Sequence, residues 1–268
     1  MYLSFLMIDV GRNPDRPRPG RLWLRNRYHV HQRLCMGFPS AERKGTDPLF
    51  LAPYSPSDFH EARGLAAGSP EKKEIEREVL GDVHAPRDGE RGFLFRVDPR
   101  PGASTVIVVQ SAVRPDWDYA FCNAKFLLAA PPDVRLYEPH YEEGACLRFC
   151  LLTNPTRKID TKSGPDGARR NGRRVPLAPD RFIEWLSRKG ELSGFVLDER
   201  LTLVQAGFIG WGKPGDDHGK KLRSVRYDGV LRVKDPTLFK KALFGGIGPG
   251  KAFGFGLLSV APYCGGAD

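Results

Sequence analysis

The run Tyr28-His29-Val30-His31-Gln32-Arg33-Leu34 is where residues able to move protons recur at helical spacing. On an α-helix Arg27 and Tyr28 precede His31 by four and three residues, so a guanidinium, a phenol and an imidazole share one face, and His29 projects roughly opposite. An imidazole with an ordinary pKa of about 6.5, flanked by those two groups, suits proton transfer at a phosphodiester. A histidine on an amphipathic helix is also a common half-buried structural residue, so the reading depends on what surrounds it. The other histidines, His60, His84, His140 and His218, show no H-E-x-x-H or clustered Cys/His spacing, and no metal site is expected.

A second chemical feature lies between Arg157 and Arg174. Here Arg157, Lys158, Lys162, Arg169, Arg170, Arg173 and Arg174 face only Asp160 and Asp166, which places half of the chain's net charge of +10 in one short segment. Gly164-Pro165-Asp166-Gly167 and Asn171-Gly172 supply turn chemistry. The segment is therefore a long exposed hairpin or loop, either simply solvated or laid against a phosphate backbone. Such contacts position a protein without reading sequence.

The third is Gly245-Gly246-Ile247-Gly248-Pro249-Gly250-Lys251-Ala252, which nearly spells the phosphate-binding G-x-x-x-x-G-K-[ST]. The magnesium-holding Ser/Thr is Ala252 here, and Pro236–Leu243 before it reads as a helix where a P-loop needs a strand, so no nucleotide cofactor is expected. What remains is a glycine loop, 245–256, whose backbone N–H groups at Gly248 and Gly250 can approach phosphates, with Lys251 adding charge. A tight helix-to-strand connection would need the same glycines.

The elements that must position these residues follow from the apolar pattern. A strand is expected at 2–10, a Pro/Arg-rich loop next, and a helix at 26–38 carrying Val30, Leu34 and Phe38 and stopped by Pro39. Residues 40–90 read as a variable insertion whose one convincing element is a helix opened by Ser69-Pro70-Glu71 and running through Leu80. Strands at 92–97 and 105–110 form a hairpin-like pair. After an irregular, Pro-rich passage at 113–140 comes a second series: strand 145–153, helix 179–189, strands 195–209 and 222–234, helix 236–244, strand 257–261. That order is β-α-β-β-α-β. The fold class is thus α+β, two tandem ferredoxin-like (RRM-like) βαββαβ domains, at 1–140 with the histidine helix and 141–268 with the basic segment and glycine loop.

With 268 residues, 28% charged and 40% hydrophobic, the chain has an ordinary globular composition. Its positive balance draws polyanions without choosing among them. No apolar stretch approaches a membrane span, and the apolar start lacks the basic region of a signal peptide, so a cytoplasmic protein is expected. Five cysteines fit a reducing compartment. Cys146 and Cys150 share a strand face about 13 Å apart, too far for a disulfide, and are expected to be buried strand residues.

Several separated segments together resemble the CasE family, the CRISPR repeat-processing endoribonucleases of type I-E systems. They are Met1-Tyr2-Leu3-Ser4, Tyr28-x-x-His31, Phe93-Leu94-Phe95-Arg96-Val97 with Val108-Val109-Gln110-Ser111, Asn154-Pro155, Arg174-Val175-Pro176-Leu177, Trp185-Leu186, and the tail through Leu257-Leu258-Ser259-Val260-Ala261-Pro262. The resemblance implies that His31 is catalytic and Tyr28 assists it. It implies a repeat hairpin cut at the base of its stem without metal or cofactor, the product retained, and membership of the Cascade complex. Where a relative in that family has a lysine shortly after the histidine, this chain has Met36, leaving Arg27, Arg33 and Arg157 as candidates for a third catalytic cation. The rival is a non-catalytic RNA-binding subunit of the same fold, with His31 structural. RNA contacts are expected from Arg27, Arg33, Arg157, Lys158, Arg169, Arg170, Arg173, Arg174, Gly248, Gly250 and Lys251.

Overall fold

The computed structural model describes residues 1–12, 18–39, 92–100, 104–159, 173–212 and 220–263. The expected insertion at 40–90 and its helix lie outside them. The described chain divides into two compact units, Met1–Glu138 with Ile209–Lys221 and Ala252–Gly254, and Pro139–Phe208 with Leu222–Lys251 and Phe255–Asp268.

In the first unit, β1 (Tyr2–Ile8), β2 (Phe93–Asp98), β3 (Thr105–Ser111) and β4 (Asp133–Leu136) form one sheet in the order β2-β3-β1-β4. β1 runs antiparallel to β3 with Leu6 opposite Ile107, and β2 antiparallel to β3 with Leu94 opposite Gln110. The helix expected at 26–38 is α2, Arg27–Cys35, and Met36–Phe38 form a closing turn. Its Val30 and Leu34 are fully buried with Leu6, Ile8, Trp23 and Phe95, each large apolar side chain contributing about 1.5–3 kcal/mol.

Two local expectations are corrected. The stretch read as a Pro/Arg-rich loop contains α1, Pro19–Arg25, seven residues with proline at the helix start. So short a helix is marginal alone. The fully buried Trp23, edge-on to Phe121 at 6.1 Å, holds it in place. The passage read as irregular carries the rest of the ferredoxin pattern in reduced form: α3 (Trp117–Ala120), a 3₁₀ turn at Lys125–Leu127, and β4.

The second unit contains β5 (Cys146–Thr153), a ribbon of β6 (Thr156–Ile159) and β7 (Arg173–Pro176), α4 (Phe182–Glu191), β8 (Phe195–Trp211), β9 (Lys220–Val233), α5 (Pro236–Gly245) and β10 (Leu258–Pro262). Its sheet order is β10-β5-β9-β8, the same permutation as in the first unit. α4 buries Phe182, Trp185 and Leu186. α5 starts on Asp235, whose Oδ1 accepts from Thr237 N and Leu238 N, both at 2.9 Å. Alternation along β5 turns Leu147, Phe149 and Leu151 into the core. Cys146 and Cys150 occupy the other, half-buried face, a correction to their expected burial that follows from the two-residue period. Both units are ferredoxin-like.

Candidate active site and nucleic-acid interface

Asn26 sets the start of α2. Its Oδ1 accepts from Tyr28 N at 3.0 Å, a side-chain cap, and also from Gly212 N at 3.2 Å, while its Nδ2 donates to Gly212 O at 2.9 Å. One amide thus caps the helix and pairs with a backbone peptide as a neighbouring strand would. No acidic residue sits in the first turn, so the helix N-terminus and Arg27 present positive charge together.

His31 is 8% exposed. Its ring stacks on two phenylalanines of β2, at 5.5 Å from Phe93 and, nearly parallel at 16°, 6.1 Å from Phe95. Strand periodicity gives Phe93 and Phe95 a common face, which makes the bed. Nε2 of His31 lies 3.6 Å from Sγ of Cys35, one turn further along α2. The glycine tail reaches this stack too. Gly254, with φ +85°, crosses Phe95 so closely that a Cβ would lie 3.1 Å from its ring. Tyr28 is half-buried, its ring 6.3 Å from that of His29.

Arg27 is half-buried, and burial pulls its guanidinium down to about 10 against the opposing attraction of Asp98. It remains a cation near neutrality. Its Nη1 is buried with no hydrogen-bond partner among the described residues. A desolvated guanidinium with a bare N–H is costly until an anion meets it.

Arg33 is corrected as an RNA contact. It is 1% exposed, and its Nη1 donates to Ala120 O at 3.0 Å and to Asn123 Oδ1 at 2.6 Å. It ties α2 to the turn after α3 and does not reach the surface. Arg33→Met should lower stability by about 1–3 kcal/mol by leaving those acceptors unpaired. Thermal melting would register the loss, and the salt dependence of RNA binding should not move; a flattened salt slope would restore Arg33 to the interface.

The basic segment begins as the antiparallel β6–β7 ribbon. Lys158 stands opposite Arg174, and Arg157 opposite Val175. Like charges directly across a ladder destabilise it. Arg157, Lys158 and Arg174 are exposed, and no ion pair among the described residues offsets them. Arg173 lies on β7 opposite Ile159, while Arg169 and Arg170 fall outside the described residues.

The glycine loop follows helix α5, not a strand, so the geometry of a nucleotide-binding P-loop is absent there. Gly250, with φ +82°, would place a Cβ 2.8 Å from the Phe255 ring, and Gly248 lies against Trp185. These glycines serve close packing. Lys251 is exposed on the following 3₁₀ turn. Asn26, Cys35 and the Phe93/Phe95 bed were not among the expected site residues. Only Asn26, a capping residue just ahead of the helix, carried a local signal. Among the described residues, no three His, Cys, Asp or Glu side chains group as metal ligands, and no helix is long and apolar enough to cross a membrane.

Two ferredoxin-like units, one carrying a histidine-bearing helix and the other an exposed basic ribbon, define a tandem ferredoxin-like protein with a surface suited to polyanions. The CRISPR-associated protein family model matches residues 78–262, and the chain belongs to that family, as a member of its type I-E CasE branch. It is 33% identical over 186 residues to the CRISPR-associated endoribonuclease Cse3 of Thermus thermophilus, covering 65% of this chain and 82% of the relative. It is 32% identical over 180 residues to the Cascade subunit CasE of Escherichia coli, covering 65% and 84%. The structure of Thermus thermophilus Cse3 bound to an RNA representing a pre-cleavage complex matches with TM-score 0.63 at 26% identity, over 97% of this chain and 98% of that one. Cas6e from Escherichia coli agrees in fold, with TM-score 0.56 at 23% identity over 98% and 100%.

Proposed function

We propose that this chain is an endoribonuclease that binds the hairpin of a CRISPR repeat in precursor crRNA, cuts at the base of the stem, and keeps the product as a Cascade subunit. The observation that carries the reading is Arg27. Its partly desolvated guanidinium, with an N–H left bare among the described residues, stands one helical turn from His31. That is where a phosphate flanked by a proton carrier would sit. The names and RNA-bound structures of the relatives support the same substrate.

In the reaction the ribose 2′-oxygen attacks the adjacent phosphorus, the O2′–P bond forms and the P–O5′ bond breaks. The products are a 2′,3′-cyclic phosphate and a 5′-hydroxyl. His31 gives a proton to the departing 5′-oxygen or takes one from the 2′-hydroxyl, Tyr28 holds the reacting groups, and Arg27 takes up the charge that develops on the phosphorane oxygens. His31 is 8% exposed, so the arriving RNA must open the packing around its ring before a proton can pass. The basic ribbon grips the stem through its shape and phosphates, since an A-form stem hides its base edges in a deep groove. The work divides between the two units, with cutting in the first, which carries α2, and gripping in the second, which carries the ribbon. The protein works in the cytoplasm with its RNA.

The near-complete burial of His31 also favours the non-catalytic RNA-binding subunit. Incubation with repeat RNA in excess EDTA separates the two. Cleavage should proceed at an undiminished rate, and an RNA with a single 2′-deoxy sugar at the cut site should bind and stay whole. Binding without cleavage of the all-ribose RNA would establish the non-catalytic subunit instead.

A further inference from the structure

The end of β8 carries a cluster that the chemistry above does not use. The indole of Trp211 lies 4.9 Å from the ring of Phe253, tilted by 46°. Lys220, exposed at the start of β9, holds its ammonium 5.0 Å from the centroid of the same indole. Both aromatic side chains are half-buried, and Nε1 of Trp211 is covered with no hydrogen-bond partner among the described residues. All three residues belong to the first unit.

Their location follows from the backbone. Gly212, next to Trp211, is the residue that Asn26 pairs with through two hydrogen bonds while capping α2. Gly210, on the other side of Trp211, comes so near Arg25 that a Cβ would lie 3.3 Å from the Arg25 carbonyl oxygen. The aromatic pair is thereby fastened to the end of the helix where Arg27 and Tyr28 stand.

We propose that Trp211, Phe253 and Lys220 form a platform on which an unpaired nucleotide at the foot of the RNA stem stacks, beside the phosphodiester to be cut. The proposal rests on the endoribonuclease reading and adds a binding subsite to it. An aromatic face accepts any base, and a neighbouring ammonium meets the phosphate that comes with it. A ribbon that holds a duplex by shape does not fix which phosphodiester meets His31. A stacked unpaired nucleotide does, because it ends the duplex at a set distance from α2.

The test uses the full chain and two RNAs, the repeat hairpin alone and the hairpin with its unpaired flank, the latter with 2-aminopurine at the first unpaired position. Trp211→Leu should weaken binding of the flanked RNA by about tenfold and leave the bare hairpin within about twofold, and Trp211→Phe should recover most of the loss. Lys220→Ala should lower the salt slope for the flanked RNA by about one. Wild-type protein should quench the 2-aminopurine, a readout that needs no variant to fold. Equal losses on the two RNAs, no loss on either, or an unquenched 2-aminopurine on a wild type that binds and cuts normally would overturn the platform and leave the endoribonuclease standing. A wild type that binds neither RNA would overturn both.

Discussion

His31→Ala should slow cleavage of the repeat by about 10²–10⁴-fold, the range a positioned general acid or base contributes. Affinity for the hairpin should stay within about twofold, since phosphate contacts from other residues dominate binding. Single-turnover cleavage and filter binding on the same preparations separate the two quantities. The ring packs on Phe93 and Phe95, so alanine also leaves a gap; His31→Gln fills most of it and should be equally slow. A bell-shaped or sloping pH profile in the wild type that vanishes in His31→Gln would tie the loss to proton transfer. Cleavage at the wild-type rate by either variant would remove His31 from the chemistry and return it to its structural role beside Cys35.

Removing Arg157, Lys158 and Arg174 together should cost on the order of 10²-fold in affinity at 0.1 M salt and flatten the plot of log K against log salt by about three, one for each phosphate no longer neutralised. The cleavage rate of bound RNA should change little, because these residues stand on the ribbon and not on α2. Folding should be retained, since the three side chains are exposed and Lys158 and Arg174 oppose each other across the ladder. An unaltered salt slope would mean that the RNA lies elsewhere, and the ribbon would then be a solvated hairpin.

The sequence by itself determined the second unit almost element by element, because α4 and α5 carry regular apolar stripes and β5 alternates cleanly, patterns whose period states the structure. It also determined that Arg27, Tyr28 and His31 share a helical face, since that follows from spacing along one helix. It missed α1, α3 and β4, which are too short to carry a full period; α1 and α3 are held by the burial of Trp23 and Trp117, and β4 by its pairing with β1. Only the tertiary structure decided which cations face the solvent. Arg27, half-buried, and Arg33, fully buried, stand six residues apart on one helix, yet their fates differ because Asn123 and the Ala120 carbonyl close over Arg33 alone. It also decided the surroundings of His31. Phe93, Phe95 and Gly254 lie more than sixty residues away along the chain, and no local pattern could announce that the two phenylalanines would pack against one imidazole, with a left-handed glycine crossing the Phe95 ring.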